Sequence, residues 1–159
     1  VSRQRNPWLL PVSILAALLL GLLPLPEMLQ ALRPYWLALV LVYWLIEAPE
    51  RAGLGLAFLT GLCADLAFGS ILGEQALRLV IMAFIVGRFR AQLRFFPLSQ
   101  QALAIGGLLL NDRVVAAVLH LMLDEPQLPA SFWWSPLTGM LLWPPVFVLL
   151  DRFRLGGRG

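Results

Sequence analysis

Six ionisable side chains lie inside apolar stretches of this chain: Asp65, Glu74, Arg78, Asp112, Arg113 and His120. In such surroundings these groups can relay protons, hold a ligand or ion, or pair across helices. A nucleophilic triad would draw on Ser70, His120 and Asp65, which share a depth, but no activated-serine context surrounds Ser70. A metal centre would need more than the single histidine and the single cysteine, Cys63. The reading that asks least is structural: the groups bind helices together. A buried site for a ligand, ion or partner comes next, and a proton path last.

Spacing sets which of these groups can meet. At 1.5 Å per helical residue, Asp65 lies about 6 Å below the Gly69-Ser70 break and Glu74 at a similar depth beyond it. His120 lies about 5 Å below the outer end of its own run, so these three define one polar layer. Arg78 at about 12 Å, with Asp112 and Arg113 at about 15 Å, defines a deeper one. Unpaired charges there cost roughly 2.5–3.5 kcal/mol each on insertion scales. Glu74 and Arg78 have the i,i+4 step of a helical ion pair. Arg78 to Asp112 is an interhelical bridge in reach. Asp112 and Arg113 point about 100° apart and need not pair with each other.

The elements that must position them are apolar runs at roughly 8–23, 35–48, 53–68, 71–87, 101–123 and 133–150. The chain is 60% hydrophobic and 13% charged, where a soluble protein has about 25% charged residues. This composition predicts an all-α polytopic membrane protein, with six short transmembrane helices forming one domain over residues 1–159. The first run lacks a small-residue cleavage site after it and is expected to stay as an anchor. Proline and glycine punctuate the runs at Pro24, Pro26, Pro34, Pro49, Gly69, Pro126 and Pro129. Pro144 and Pro145 fall inside the sixth and are expected to kink it.

Orientation follows from the twelve arginines. With both termini cytoplasmic, Arg3, Arg5, Arg51, Arg88, Arg90, Arg94, Arg152, Arg154 and Arg158 all fall on the cytoplasmic side. Only Arg33 falls outside, while Arg78 and Arg113 are within spans. The net charge of +3 therefore marks topology rather than a solvated patch for nucleic acid. The Arg88, Arg90, Arg94 cluster also suits contact with anionic lipid or a cytoplasmic filament protein. Trp8, Tyr35, Trp36, Trp133 and Trp134 sit near run ends, where interfacial anchors belong.

Around Asp65 runs a four-residue rhythm of Gly53, Ala57, Gly61, Asp65, Gly69 and Gly73. A four-residue step drifts by about 40° on a helix, so Ala57, Gly61 and Asp65 share a face where another helix can approach closely. Ala17 and Gly21 form a weaker example.

Arg33-Pro34 with LALVLVYW after it, then Pro49, then GLCADLAFGSILGEQAL, resembles the rod shape-determining MreD family of Gram-negative bacteria. The resemblance covers most of the chain and is most specific at Gly61-xxx-Asp65-xxx-Gly69-xxx-Gly73. It implies a non-enzymatic inner-membrane component of the cell-elongation machinery, without cofactor. The partners it implies are the bitopic MreC, the actin-like MreB, a SEDS glycosyltransferase and a class B penicillin-binding protein. It also implies a fold similar to the substrate-binding subunits of energy-coupling-factor transporters. Arg33, Pro34, Gly61, Asp65, Gly69 and Gly73 carry over as a fold or interaction signature with no catalytic role. Two functions follow as expectations. The first is a scaffold that binds MreC's membrane helix in a groove of small residues and helps position side-wall peptidoglycan synthesis. The alternative is a vitamin-type substrate-binding subunit, open to the outer side and coupled through Ala17 and Gly21.

Overall fold

The computed structural model describes residues 9–23, 26, 35–47, 53–69, 72–123 and 133–155. Arg33, Pro34 and Ser70 lie outside the described residues. Among those described, six helices and no strand occur: α1 (Leu9–Leu22), α2 (Trp36–Glu47), α3 (Leu54–Phe68), α4 (Glu74–Phe95), α5 (Leu98–Met122) and α6 (Ser135–Leu155).

α2 is the centre of the bundle. Its sequence is apolar on every side, and such a helix is stable only when surrounded. All ten residues from Leu37 to Ile46 are buried, the large Tyr43 and Trp44 included. α1, α4 and α6 pack around it. α3 folds back on α4, and α5 on both α4 and α6. Two glycines set the approach of α5 and α6. A Cβ on Gly106 would meet Met140, and one on Gly139 would meet Leu109.

The outside of the bundle is apolar as well. Leu66 on α3, Leu103 and Leu121 on α5 and Leu141 on α6 are each more than 60% exposed. A surface of this kind is poorly served by water and well served by hydrocarbon. α5 is the one helix among the described residues both long and apolar enough to cross a membrane. α1, α2 and α3 are apolar but have 14, 12 and 15 residues.

α4 runs well past the expected end of its span at residue 87. Hydropathy falls at Arg88, but Arg, Ala, Gln and Leu are good helix formers and the helix continues to Phe95. Arg90 Nε donates to the Ile46 carbonyl at 2.9 Å, and Gln101 Nε2 donates to the Leu93 carbonyl at 2.9 Å. Pro97 then ends the turn and opens α5. Arg88, Arg90 and Arg94 therefore stand on a helix rather than in a loop.

Candidate functional site

The glycine-aspartate rhythm is the machinery of the α3–α4 hairpin. α3 ends at Gly69, whose φ of 69° is the left-handed conformation that closes a helix and that glycine adopts freely. Gly73 precedes α4 with φ 100°, again in the left-handed region. Four N–H groups at the start of any helix lack an intrahelical acceptor. In hydrocarbon, water cannot take them. Asp65, 2% exposed one turn before the end of α3, reaches across the hairpin to do so. Its Oδ2 accepts from the Gly73 N–H at 2.7 Å and its Oδ1 from the Gln75 N–H at 2.8 Å. A negative charge at a helix N-terminus is also favoured by the helix dipole.

Gly61 makes that reach possible. A Cβ there would sit 2.2 Å from the Ala76 Cα and 2.5 Å from the Ala76 N. These are backbone atoms, so no rotamer change relieves the contact. Gly61→Ala is expected to cost about 1–3 kcal/mol by overpacking. Gly55→Ala, on the same helix with nothing within 4 Å, is expected to be neutral or slightly stabilising. Thermal melting of the detergent-solubilised protein compares the two.

A second constellation lies beside the hairpin. Arg78 and Asp112, 7% and 2% exposed, form a forked pair. Arg78 Nε donates to Asp112 Oδ1 at 3.0 Å and Nη2 to Oδ2 at 2.6 Å. Such bidentate pairs are the strong kind. Glu74 joins this pair to the shallower level: its Oε1 is 3.9 Å from Arg78 Nη1 and 3.5 Å from His120 Nε2. His120 Nδ1 has no partner among the described residues. Arg113 turns away from its neighbour, and its Nη2 donates to Ser135 Oγ on α6 at 2.9 Å.

Tyr35 departs from its expected role as an interfacial anchor. It is buried, its hydroxyl donates to Gln75 Oε1, and the Arg78 guanidinium lies 5.0 Å from its ring centroid, a cation–π distance. The reason is its place beside α2, the most enclosed helix. No Asp65–His120 relay forms, since the imidazole faces Glu74 and the Asp65 oxygens face backbone. No cluster of three metal-type ligands occurs among the described residues.

A set of inner hydrogen bonds completes the bundle, and sequence reasoning missed it. Trp143 Nε1 donates to Gln101 Oε1 at 3.0 Å, so Gln101 links α4, α5 and α6. Trp44 Nε1 donates to Ser13 Oγ at 2.8 Å, tying α2 to α1. Tyr43 donates to Asp151 Oδ1 at 3.1 Å, tying α2 to α6. The available signal was Trp and Tyr within apolar runs, since each needs a polar partner when buried.

A helical bundle sheathed in exposed leucine and phenylalanine, with its buried charges turned on one another, has the surface of a membrane protein. The chain belongs to the rod shape-determining protein MreD family, whose description matches residues 2–153. It is similar to the rod shape-determining protein MreD of Haemophilus influenzae, 35% identical over 142 residues, which is 87% of this chain and 85% of that one. No solved structure matches the chain. Membership places the protein in the rod-shape system as a shape-determining membrane protein, in a family not known for catalysis.

Proposed function

We propose that this protein is a non-enzymatic scaffold of the inner membrane, crossing it six times with both termini cytoplasmic. It binds the bitopic MreC and helps position side-wall peptidoglycan synthesis with MreB, a SEDS glycosyltransferase and a class B penicillin-binding protein. One observation carries the reading: the ionisable groups suited to chemistry are engaged inside the fold. Asp65 caps α4, Arg78 forks onto Asp112, and Glu74 lies between Arg78 and His120. The surface left for function is apolar helix faces and short connections, which suits contact with other membrane helices.

The alternative, a solute-binding transporter subunit, has less support. Its coupling face would use Ala17 and Gly21, yet Ala17 is buried and a Cβ on Gly21 would meet the Phe68 ring. The test is depletion combined with affinity purification. The scaffold reading expects cells to round up on depletion and MreC to co-purify with the tagged protein. Normal rods with a new vitamin requirement would sink it.

A further inference from the structure

Hydrogen bonds gather four helix termini at one end of the bundle. Arg90 on α4 holds the Ile46 carbonyl near the end of α2, Asp151 near the end of α6 accepts from Tyr43, and Gln101 near the start of α5 holds the Leu93 carbonyl. At this end Arg88, Arg94 and Arg152 are exposed and make no hydrogen bond or ion pair among the described residues. Neither acid described there is free to answer them. Asp151 accepts from Tyr43, and Glu47 has a partner of its own. Exposed phenylalanines stand among the arginines: Phe89 and Phe95 on α4, Phe96 after it and Phe153 beside Arg152.

Depth and direction select the partner. On the scale that puts Arg78 about 12 Å below the Gly69-Ser70 break, Arg88 lies at about 27 Å and Arg94 at about 36 Å. The two straddle the far boundary of a ~30 Å hydrocarbon core, where lipid phosphates begin. Arg88 and Arg94 also point about 120° apart round α4, and Arg152 stands on a different helix, α6. Cations spread in this way give an acidic docking protein no single face, whereas a leaflet surrounds the bundle and meets them all. Water or an acidic protein would also leave the Phe95 ring, 87% exposed, without apolar cover, and the headgroup boundary supplies it. A second copy of the chain would bring arginine against arginine.

We propose that this end of the bundle binds the phosphates of anionic phospholipid in the inner leaflet through Arg88 and Arg94, with Phe95 seated at the headgroup boundary. The choice of leaflet, though not the binding, rests on the reading that both termini are cytoplasmic. In the test, the full chain is reconstituted in nanodiscs of phosphatidylcholine and phosphatidylglycerol in equal amounts and extracted in mild detergent. The lipid it retains is then quantified by mass spectrometry. A cation near an anionic surface is worth roughly fivefold in partitioning, so the wild-type protein is expected to retain phosphatidylglycerol over phosphatidylcholine by about fivefold or more, and by less at high salt. Arg88→Gln/Arg94→Gln should at least halve that ratio at an unchanged melting temperature, since both side chains are exposed and unpaired. Arg88→Lys/Arg94→Lys preserves the charge and should keep the ratio. Retention of the two lipids at their mixing ratio by the wild-type protein overturns the lipid site and leaves the arginines to an acidic protein. A ratio unchanged by the glutamine variant overturns Arg88 and Arg94 as the site. The side is read separately with Ser99→Cys in a Cys63→Ala background, since Ser99 is exposed next to the α4–α5 turn. A membrane-impermeant maleimide should leave it unlabelled in intact spheroplasts. Labelling there overturns the inner leaflet and the cytoplasmic termini together, while the nanodisc result stands.

Discussion

Asp65→Leu is expected to insert into the membrane at normal levels and to melt well below wild type. Leucine removes a carboxylate, so insertion itself becomes easier. What is lost is the acceptor for the Gly73 and Gln75 N–H groups, held at 2.7 and 2.8 Å. A buried donor left unsatisfied costs about 1–3 kcal/mol, so the pair costs about 2–6 kcal/mol. That is a large part of a typical stability of about 5–15 kcal/mol. Asp65→Asn keeps one acceptor and turns an NH₂ toward the other N–H, for a loss of about 1–3 kcal/mol. The expected order of melting temperatures in detergent is therefore wild type, then Asn, then Leu. A leucine variant that melts with wild type would remove the cap from the explanation.

Asp112→Leu is expected to be as damaging, at about 3–5 kcal/mol, because it leaves the buried Arg78 guanidinium without its forked partner. Glu74 does not replace it, lying 3.9 Å away and also facing His120. Removing both charges is different. Replacing a buried pair with apolar residues is often neutral. The double variant Arg78→Leu/Asp112→Leu should therefore recover at least half of the single variant's loss. A double variant weaker than either single one would mean that Arg78 supports Tyr35 and Glu74 more than it answers Asp112. A double-mutant cycle on melting in detergent separates these outcomes.

Much of this arrangement was legible as spacing. The rhythm of Gly61, Asp65, Gly69 and Gly73 marks a tight hairpin because glycine at those steps permits close approach and left-handed turns. The depth argument puts Arg78 and Asp112 near one level, and in the structure they meet. The partner of Asp65 was not legible, because a backbone N–H belongs to every residue and leaves no mark in composition. Nor was the inward turn of Tyr35. An aromatic at the end of an apolar run looks the same whether it faces headgroups or a neighbouring guanidinium, and only the enclosure of α2 decides. α4 outruns its apolar run because hydropathy reports where lipid stops, whereas helix propensity and the Gln101 bond to Leu93 decide where the helix stops. Gln101 itself, 3% exposed, reads from sequence as the polar edge of a span.

If the hairpin residues build the protein and the folded bundle acts by holding partners, then Asp65 matters only through the amount of folded protein. Cell shape at equal folded amounts separates that from a direct role. Asp65→Asn is expressed in depleted cells until its folded level, measured in detergent, equals that of wild type. Rods of normal width are the expected result. Round cells at a matched folded level would show that the carboxylate acts on something beyond its own hairpin, and would contradict the structural role assigned to it.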